Sequence, residues 1–317
     1  MPTDLSSTKN RLVEEIQFAG EKKRRLARGW DNGSLNKKEE ETEPADEEEE
    51  EEEDDDDDEE QPLSPKVSHG YDLVKGKMGH GMEDYIVVET RRVNRHQLGL
   101  YAIFDGHSGS QVAEYLHTHL FDNILSQPAF WTNPKQAIKR AYKVTDDEIL
   151  KNVAGFRGGS TTVTAILKDR KTLIVASVGD SRAILCRNGK AKQITTDHEP
   201  EKERDLIESK GGFVSQKPGN VPRVDGELAM TRAFGDGKLK DHITSKPDVR
   251  SEVIDEDTEL IILASDGLWK VMSNQEAIDC IKNAKNAQEA SEKLIEEALS
   301  RDSKDDISCI VCIFQLI

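Results

Sequence analysis

Three apolar runs in this chain each lead straight into an aspartate. Leu-Tyr-Ala-Ile-Phe runs into Asp105-Gly106-His107, Leu-Ile-Val-Ala-Ser-Val-Gly into Asp180, and Leu-Ile-Ile-Leu-Ala-Ser into Asp266-Gly267. Two further runs start from acids: Glu83-Asp84 immediately precedes Tyr85–Glu89, and Asp305-Asp306 immediately precedes Ile307–Phe314. A single Asp at a strand end is ordinarily a turn residue, but five such sites in one domain point to shared chemistry. If the strand ends converge on one rim, each like-charged pair at 4 Å repels by up to about 4 kcal/mol at an effective dielectric of 20. No matching cluster of Lys or Arg accompanies the acids. A divalent cation answers the need, and a donor set that is almost all oxygen favours Mg²⁺ or Mn²⁺ over Zn²⁺. The glycines after Asp105 and Asp266 allow close backbone approach and offer carbonyl oxygens as further ligands.

Elements must exist to hold these residues together. Tyr85–Glu89, Leu98–Phe104, Thr161–Leu167, Thr172–Val178, Ala183–Cys186, Leu260–Ala264 and Ile307–Phe314 read as strands, rich in Val, Ile, Leu and Phe and separated by Gly, Asp or Asn. Gly109–Leu125, Pro134–Val153, Pro200–Ser209, Asn274–Asn283 and Ala287–Ser300 read as helices, with Pro134 and Pro200 where a helix start tolerates proline. Runs as close as 161–167 and 172–178 leave no room for a crossover, so antiparallel hairpins are predicted. The fold class is α+β, with helices packed on antiparallel sheets in one domain from residue 67 to 317.

The charge balance describes a different part of the chain. The 317 residues carry 62 acidic and 44 basic side chains, net −18. Glu39–Glu60 holds 19 carboxylates and no Lys or Arg, so everything outside it sums to +1. Residues 1–66 are read as a disordered extension, because a self-repelling acidic run cannot bury apolar surface. A basic segment, Lys22 to Arg28, precedes the run and reads as a nuclear-import patch, a docking site or a solvated arm. No apolar run is long enough to span a membrane, and Met1–Asn10 lacks the apolar core of a secretory signal. Four cysteines, at 186, 280, 309 and 312, are too few and too unevenly placed for a disulfide framework. Cys309 and Cys312 lie in a strand, where positions three apart face opposite sides, so their CxxC spacing is read as structural. A reducing location, cytoplasmic or nuclear, is expected.

Eight motifs in order carry a family resemblance. They are Met82-Glu83-Asp84, Phe104-Asp105-Gly106-His107-Ser108-Gly109, Gly159-Ser160-Thr161, Gly179-Asp180-Ser181-Arg182, Asp197-His198-Glu199-Pro200, Leu228 through Asp236, Ala264 through Trp269, and Asp305-Asp306-Ile307-Ser308. The set resembles the type 2C metal-dependent serine/threonine protein phosphatases, from about residue 69 to the C-terminus, and its wording is most similar to the plant members. The resemblance implies a β-sandwich of two antiparallel sheets flanked by helices on both sides, with a two-metal centre at one end. It implies that Asp105 bridges two Mg²⁺ or Mn²⁺ ions, that the Gly106 carbonyl binds one, and that Asp266 and Asp305 bind the other. Glu83 and Asp84 would hold metal-bound waters, and His107 would protonate the leaving serine or threonine oxygen. Phosphoprotein substrates and a monomer are implied, with basic proteins as further partners through the acidic run; neither nucleic acid nor a membrane is expected as a partner.

The chain departs from that family pattern in four places. Gly79 stands where many members have a phosphate-gripping arginine, and Lys77 is the replacement expected, ahead of His80. Lys270 stands where an acid would complete a weak third metal site with Asp180 and Asp266, which puts that site in doubt. Asp306 replaces the usual Asn and offers itself as a ligand in place of Asp305. Lys217 stands about where the hormone-receptor-regulated plant branch carries a tryptophan, so regulation of that kind is not expected. Two other readings fail on their own terms. Gly106-His107-Ser108-Gly109-Ser110 lacks the last glycine of a nucleophile elbow, and Gly155–Thr162 lacks the spacing and lysine of a P-loop. A weakly catalytic phosphoprotein-binding scaffold is the remaining alternative.

Overall fold

Strands buried on both faces dictate the architecture. In chain order the computed structural model, which describes residues 66–153 and 157–315, forms β1 (Lys66–Val74), β2 (Asp84–Val93), β3 (His96–His107), β4 (Gly159–Ser160), β5 (Thr162–Lys168), β6 (Thr172–Val178) and β7 (Arg182–Arg187). Then follow β8 (Lys190–Gln193), β9 (Val214–Ser215), β10 (Arg223–Val224), β11 (Phe234–Gly235), β12 (Asp248–Val253), β13 (Thr258–Ala264) and β14 (Ile307–Gln315). The helices are α1 (Gln111–Leu125), α2 (Pro134–Asn152), α3 (Arg204–Ser209), α4 (Asp266–Trp269), α5 (Asn274–Ile281) and α6 (Ala287–Ser300). One sheet has the order β1-β14-β13-β7-β8 and the other β11-β4-β3-β5-β6-β12, with β2 added on β3. All these pairings are antiparallel.

Period-2 alternation sorts each strand into two cores. On β3, Leu98, Leu100, Ala102 and Phe104 pack with α1 and α2, while Tyr101 and Ile103 pack into the centre of the sandwich. On β14, Ile307, Cys309 and Val311 pack with α5 and α6, while Ile310, Cys312 and Phe314 face the centre. Cys309 and Cys312 therefore lie on opposite faces as free, buried thiols, as the strand reading required. The layers are helix, sheet, sheet, helix. The helix starts are fixed locally. Asn133 accepts from the Gln136 amide ahead of Pro134, Ser273 and Glu276 form a reciprocal cap, and Asn286 caps α6.

Some elements differ from the sequence reading. β1, β8 and β12 are polar, half-exposed strands on or near sheet edges, where neighbours and not apolar content hold them. Regular helix begins at Arg204 and not at Pro200; residues 200–203 form a turn closed by the Lys202 and Glu203 amides on the Glu199 carbonyl. No helix among the described residues is long and apolar enough to cross a membrane. The acidic run and the basic segment lie outside the described residues.

Sheet register decides what sits at each end. β2 and β3 pair from Asp84↔Asp105 at one end to Val93↔His96 at the other. β6 and β13 both run toward the first end, into Asp180 and Asp266, and β14 leaves from it after Asp305 and Asp306.

Candidate active site

The paired ends of β2 and β3 set Asp84 directly opposite Asp105. Asp84 Oδ2 accepts from Ser308 Oγ at 2.6 Å, and its Oδ1 is buried with no partner. Burial, with Asp306 and Asp266 nearby, pushes the Asp84 carboxyl up to about 7. Asp105 is pushed well above the ordinary carboxylate range by burial and then by Asp84, Asp266, Asp180 and Asp305. Burial followed by the charge of Asp266 takes Asp180 up to about 7, and its Oδ1 is also without a partner. Asp266 is raised by burial and, less strongly, by Asp305. The five strand-end acids that the sequence singled out therefore lie within range of one another's charge.

One cation stands among them. Lys270, one turn after Asp266, places Nζ 2.5 Å from Asp266 Oδ2 and 2.9 Å from Asp305 Oδ2. Counting basic residues along the sequence missed this balance, because the lysine reaches Asp305 only through the packing of α4 on β14. No three of the described His, Cys, Asp and Glu side chains close around a single point as a metal cage would. The lysine draws Asp266 and Asp305 to itself. The donors nonetheless suit a hard divalent cation: all are oxygens, and two buried carboxylate oxygens lack any protein partner.

Asp306 serves a different purpose from its neighbour. Its Oδ1 accepts from the Gly76 amide at 2.7 Å and its Oδ2 from the Glu83 amide at 2.9 Å. With both oxygens so engaged, it fastens the segment between β1 and β2 to the rim. Gly267 permits this approach, since a Cβ there would lie 2.1 Å from the Asp306 carbonyl.

His107 Nε2 is 2.7 Å from Asp236 Oδ2, while its Nδ1 is buried without a partner. Asp236 was legible only as part of a motif; its pairing with a residue 129 positions away is a fact of the fold. Gly159 makes room for the pair, as a Cβ there would meet Asp236 Oδ2 at 2.2 Å and His107 Nε2 at 2.6 Å. Glu83 Oε1 accepts from the Gly109 amide at 2.8 Å, which ties the loop after His107 to the rim. Lys77 forms an exposed pair with Asp302 at 3.0 Å. His80 lies 3.7 Å from Glu83 and is raised chiefly by its bond to the Gly81 carbonyl and then by Glu83, Asp306 and Asp305. A side chain at Gly79 would project into open space.

A rim of buried acids beside a His–Asp pair, on a two-sheet sandwich, is matched by known proteins. The pattern of the family described as Protein phosphatase 2C matches residues 75–307. The chain belongs to that family. It is 70% identical over 247 residues, 78% of this chain and 73% of the relative, to a probable protein phosphatase 2C 28 of Arabidopsis thaliana. It is 60% identical over 253 residues, 78% of this chain and 87% of the relative, to a probable protein phosphatase 2C 62 of Oryza sativa subsp. japonica. Among solved structures, a serine-threonine phosphatase 2C from Toxoplasma gondii superposes with a TM-score of 0.70 at 25% identity, covering 80% of this chain and 98% of that one. The phosphatase is thus a metal-dependent protein serine/threonine phosphatase of plant type, with the sandwich that its motifs implied.

Proposed function

We propose that the phosphatase hydrolyses phosphoserine and phosphothreonine in phosphoproteins at the Asp84–Asp105 rim with two Mg²⁺ or Mn²⁺ ions. The observation that carries this is the set of mutually repelling, partly orphaned carboxylates at one end of the sandwich. Asp105, the Gly106 carbonyl, Asp266 and Asp305 would hold the ions, and Glu83 and Asp84 would orient water beside them. Bound divalent cations supply a nucleophilic water near neutral pH and neutralise charge on the phosphoryl oxygens. Asp236 accepts from His107 Nε2 and so fixes the ring beside the rim, where the imidazolium would deliver a proton to the leaving alkoxide. The Lys77–Asp302 pair is exposed and screened by water, so it holds the lysine weakly and leaves the ammonium available to a substrate phosphate. The Lys270 ammonium, beside Asp266, opposes a third ion. Action as a monomer in the cytoplasm or nucleus, with the acidic run selecting basic partners, completes the reading.

Turnover of a phosphothreonine peptide tests it. The full chain with Mn²⁺ is expected to turn the peptide over, and excess chelator to abolish that activity. Asp105→Asn is expected to lower kcat by at least about 10³-fold, the scale of losing a central electrostatic element. Undiminished turnover in chelator would place the reaction in a metal-independent class, and no metal-dependent turnover at all would favour the scaffold reading.

A further inference from the structure

The opposite end of the sandwich carries the reverse charge. There, two hairpin tips, Asn94-Arg95 between β2 and β3 and Asp169-Arg170 between β5 and β6, flank a cavity of about 630 Å³ lined by Arg91, Arg92, Arg95 and Arg170 with Thr90 and Gln97. Arg91 is occupied by Glu89 and Asp122, and Asp169, also on the lining, by His96 and the Gln97 amide. Arg92, Arg95 and Arg170 have no ion pair or side-chain hydrogen bond among the described residues. Three unpaired guanidiniums around one concavity form an anion-binding arrangement, because each presents a planar fork matched to a carboxylate or phosphate.

The backbone adds a second observation. Arg95 has φ 67° and Arg170 φ 56°, each following a residue that is also left-handed. The second of two such turn positions normally holds glycine. The β7–β8 tip of this same fold uses Asn188-Gly189, with φ 50° and 69°. At the two tips bordering the cavity the chain keeps arginine where local conformation favours glycine. A bland surface turn gives no reason for that choice, and a ligand does.

A smaller cavity of about 80 Å³ continues from the first, sharing Thr90, Gln97 and Arg170 and walled further by Val67, His69, Gly99, Tyr101 and Leu167. A cluster of unpaired guanidiniums that continues into a recess of mixed polar and apolar lining suits a peptide carboxylate cluster better than a free inorganic anion. It does not suit nucleic acid, which requires a stripe of phosphate contacts; residues 61–317 carry 35 basic against 38 acidic side chains. We propose that this pocket is a docking site for a short acidic segment of a substrate phosphoprotein, with one side chain of that segment entering the smaller recess. β2 separates it from the catalytic rim by its 10 residues, about 30 Å at roughly 3.3 Å per residue. An extended substrate would need about nine residues or more between the phosphorylated side chain and the acidic stretch. The substrate assignment rests on the phosphatase reading above, whereas occupancy of the pocket does not.

A fluorescein-labelled Glu-Glu-Val-Glu-Glu peptide, titrated into the metal-free full chain and followed by anisotropy, separates the two. The wild type is expected to bind it more weakly as salt rises, and Arg95→Gly/Arg170→Gly to weaken binding at least tenfold. Glycine suits both turn positions, so the double variant is expected to melt at the same temperature or higher and to turn over a short phosphothreonine peptide unchanged. Arg92→Gln, on an ordinary strand backbone, is expected to lose affinity in the same direction. Equal binding by wild type and variants, or no binding either by the wild type or by a chain lacking residues 39–60, would overturn the site. Binding that appears only after residues 39–60 are deleted would overturn the substrate assignment in favour of an occupant from the chain itself. With binding established, KM for a phosphothreonine peptide extended by that sequence is expected to rise at least tenfold in the double variant, and an unchanged KM would overturn the substrate assignment alone.

Discussion

The sandwich gathers like charges at both of its ends, but on opposite terms. At the end proposed to be catalytic the acids sit at strand termini, where Asp84, Asp105 and Asp180 are driven toward the protonated form by burial. Several are locked by protein partners: Ser308 on Asp84, Gly109 on Glu83, and Gly76 and Glu83 on Asp306. At the far end Arg92 and Arg95 are exposed to water, which screens their repulsion. The first arrangement stores an electrostatic cost that a cation relieves; the second holds charges that cost the fold little. Substitutions at the catalytic end should therefore change chemistry by orders of magnitude, and those at the far end should change only which ligands stay bound.

After Asp105, the largest contrast is at His107. Asp236→Ala removes the acceptor that fixes the ring, and kcat is expected to fall by about 10²-fold, the lower range of a general acid's contribution. KM for a short peptide should stay within about twofold, because Asp236 acts through the histidine and not on the substrate. Gly159→Ala should reproduce the defect, since its Cβ would stand where the Asp236 and His107 contact lies. A kcat close to wild type in both variants would mean that the pair is structural.

How much of this contrast the sequence carries depends on chain separation. Apolar runs such as Leu260–Ala264 declare themselves as strands, and their flanking acids mark the rim where Asp84 and Asp105 pair, because both signals are local. β1 was missed: its alternation is polar, and it exists by pairing with β14, more than 200 residues away. The same limit hid the contact of Asp236 with His107 and the reach of Lys270 to Asp305. The arginine pocket joins two hairpin tips that lie far apart in sequence. Its one local sign is an Asn-Arg and an Asp-Arg turn where Asn-Gly and Asp-Gly are usual.

Lys270 tests whether the catalytic end is truly short of positive charge. In Lys270→Gln, Mn²⁺ affinity measured by calorimetry is expected to rise about tenfold, as one charge-assisted contact competing with the metal is lost. The metal-free variant should in turn be less stable than wild type. The pH dependence has a definite sign. Asp84 and Asp180 are pushed up to about 7 from 3.8, so between about pH 4 and 7 the folded state holds protons that the unfolded state has released. Metal-free stability should fall as pH rises through that window and level off above it, and saturating Mn²⁺ should suppress the trend. A chelated protein whose melting temperature climbs from pH 5.5 to 8 would contradict the buried-acid picture.

The smallest effect should come from the one residue at the catalytic end that behaves like the far end. Lys77 is exposed, and its ion pair among the described residues is with Asp302, itself open to solvent. A flexible ammonium contributes a point charge and not the two-pronged grip of an arginine, and at a water-exposed site that amounts to about 1 kcal/mol. Lys77→Ala is therefore expected to raise KM for a phosphothreonine peptide by about fivefold with little change in kcat. Gly79→Arg, whose side chain would enter open space, should lower KM in the opposite direction. If Lys77→Ala leaves KM and kcat untouched while Gly79→Arg still tightens binding, the phosphate is held without any side chain from this loop. The positive charge at the catalytic end would then reside in Lys270 and the metal alone.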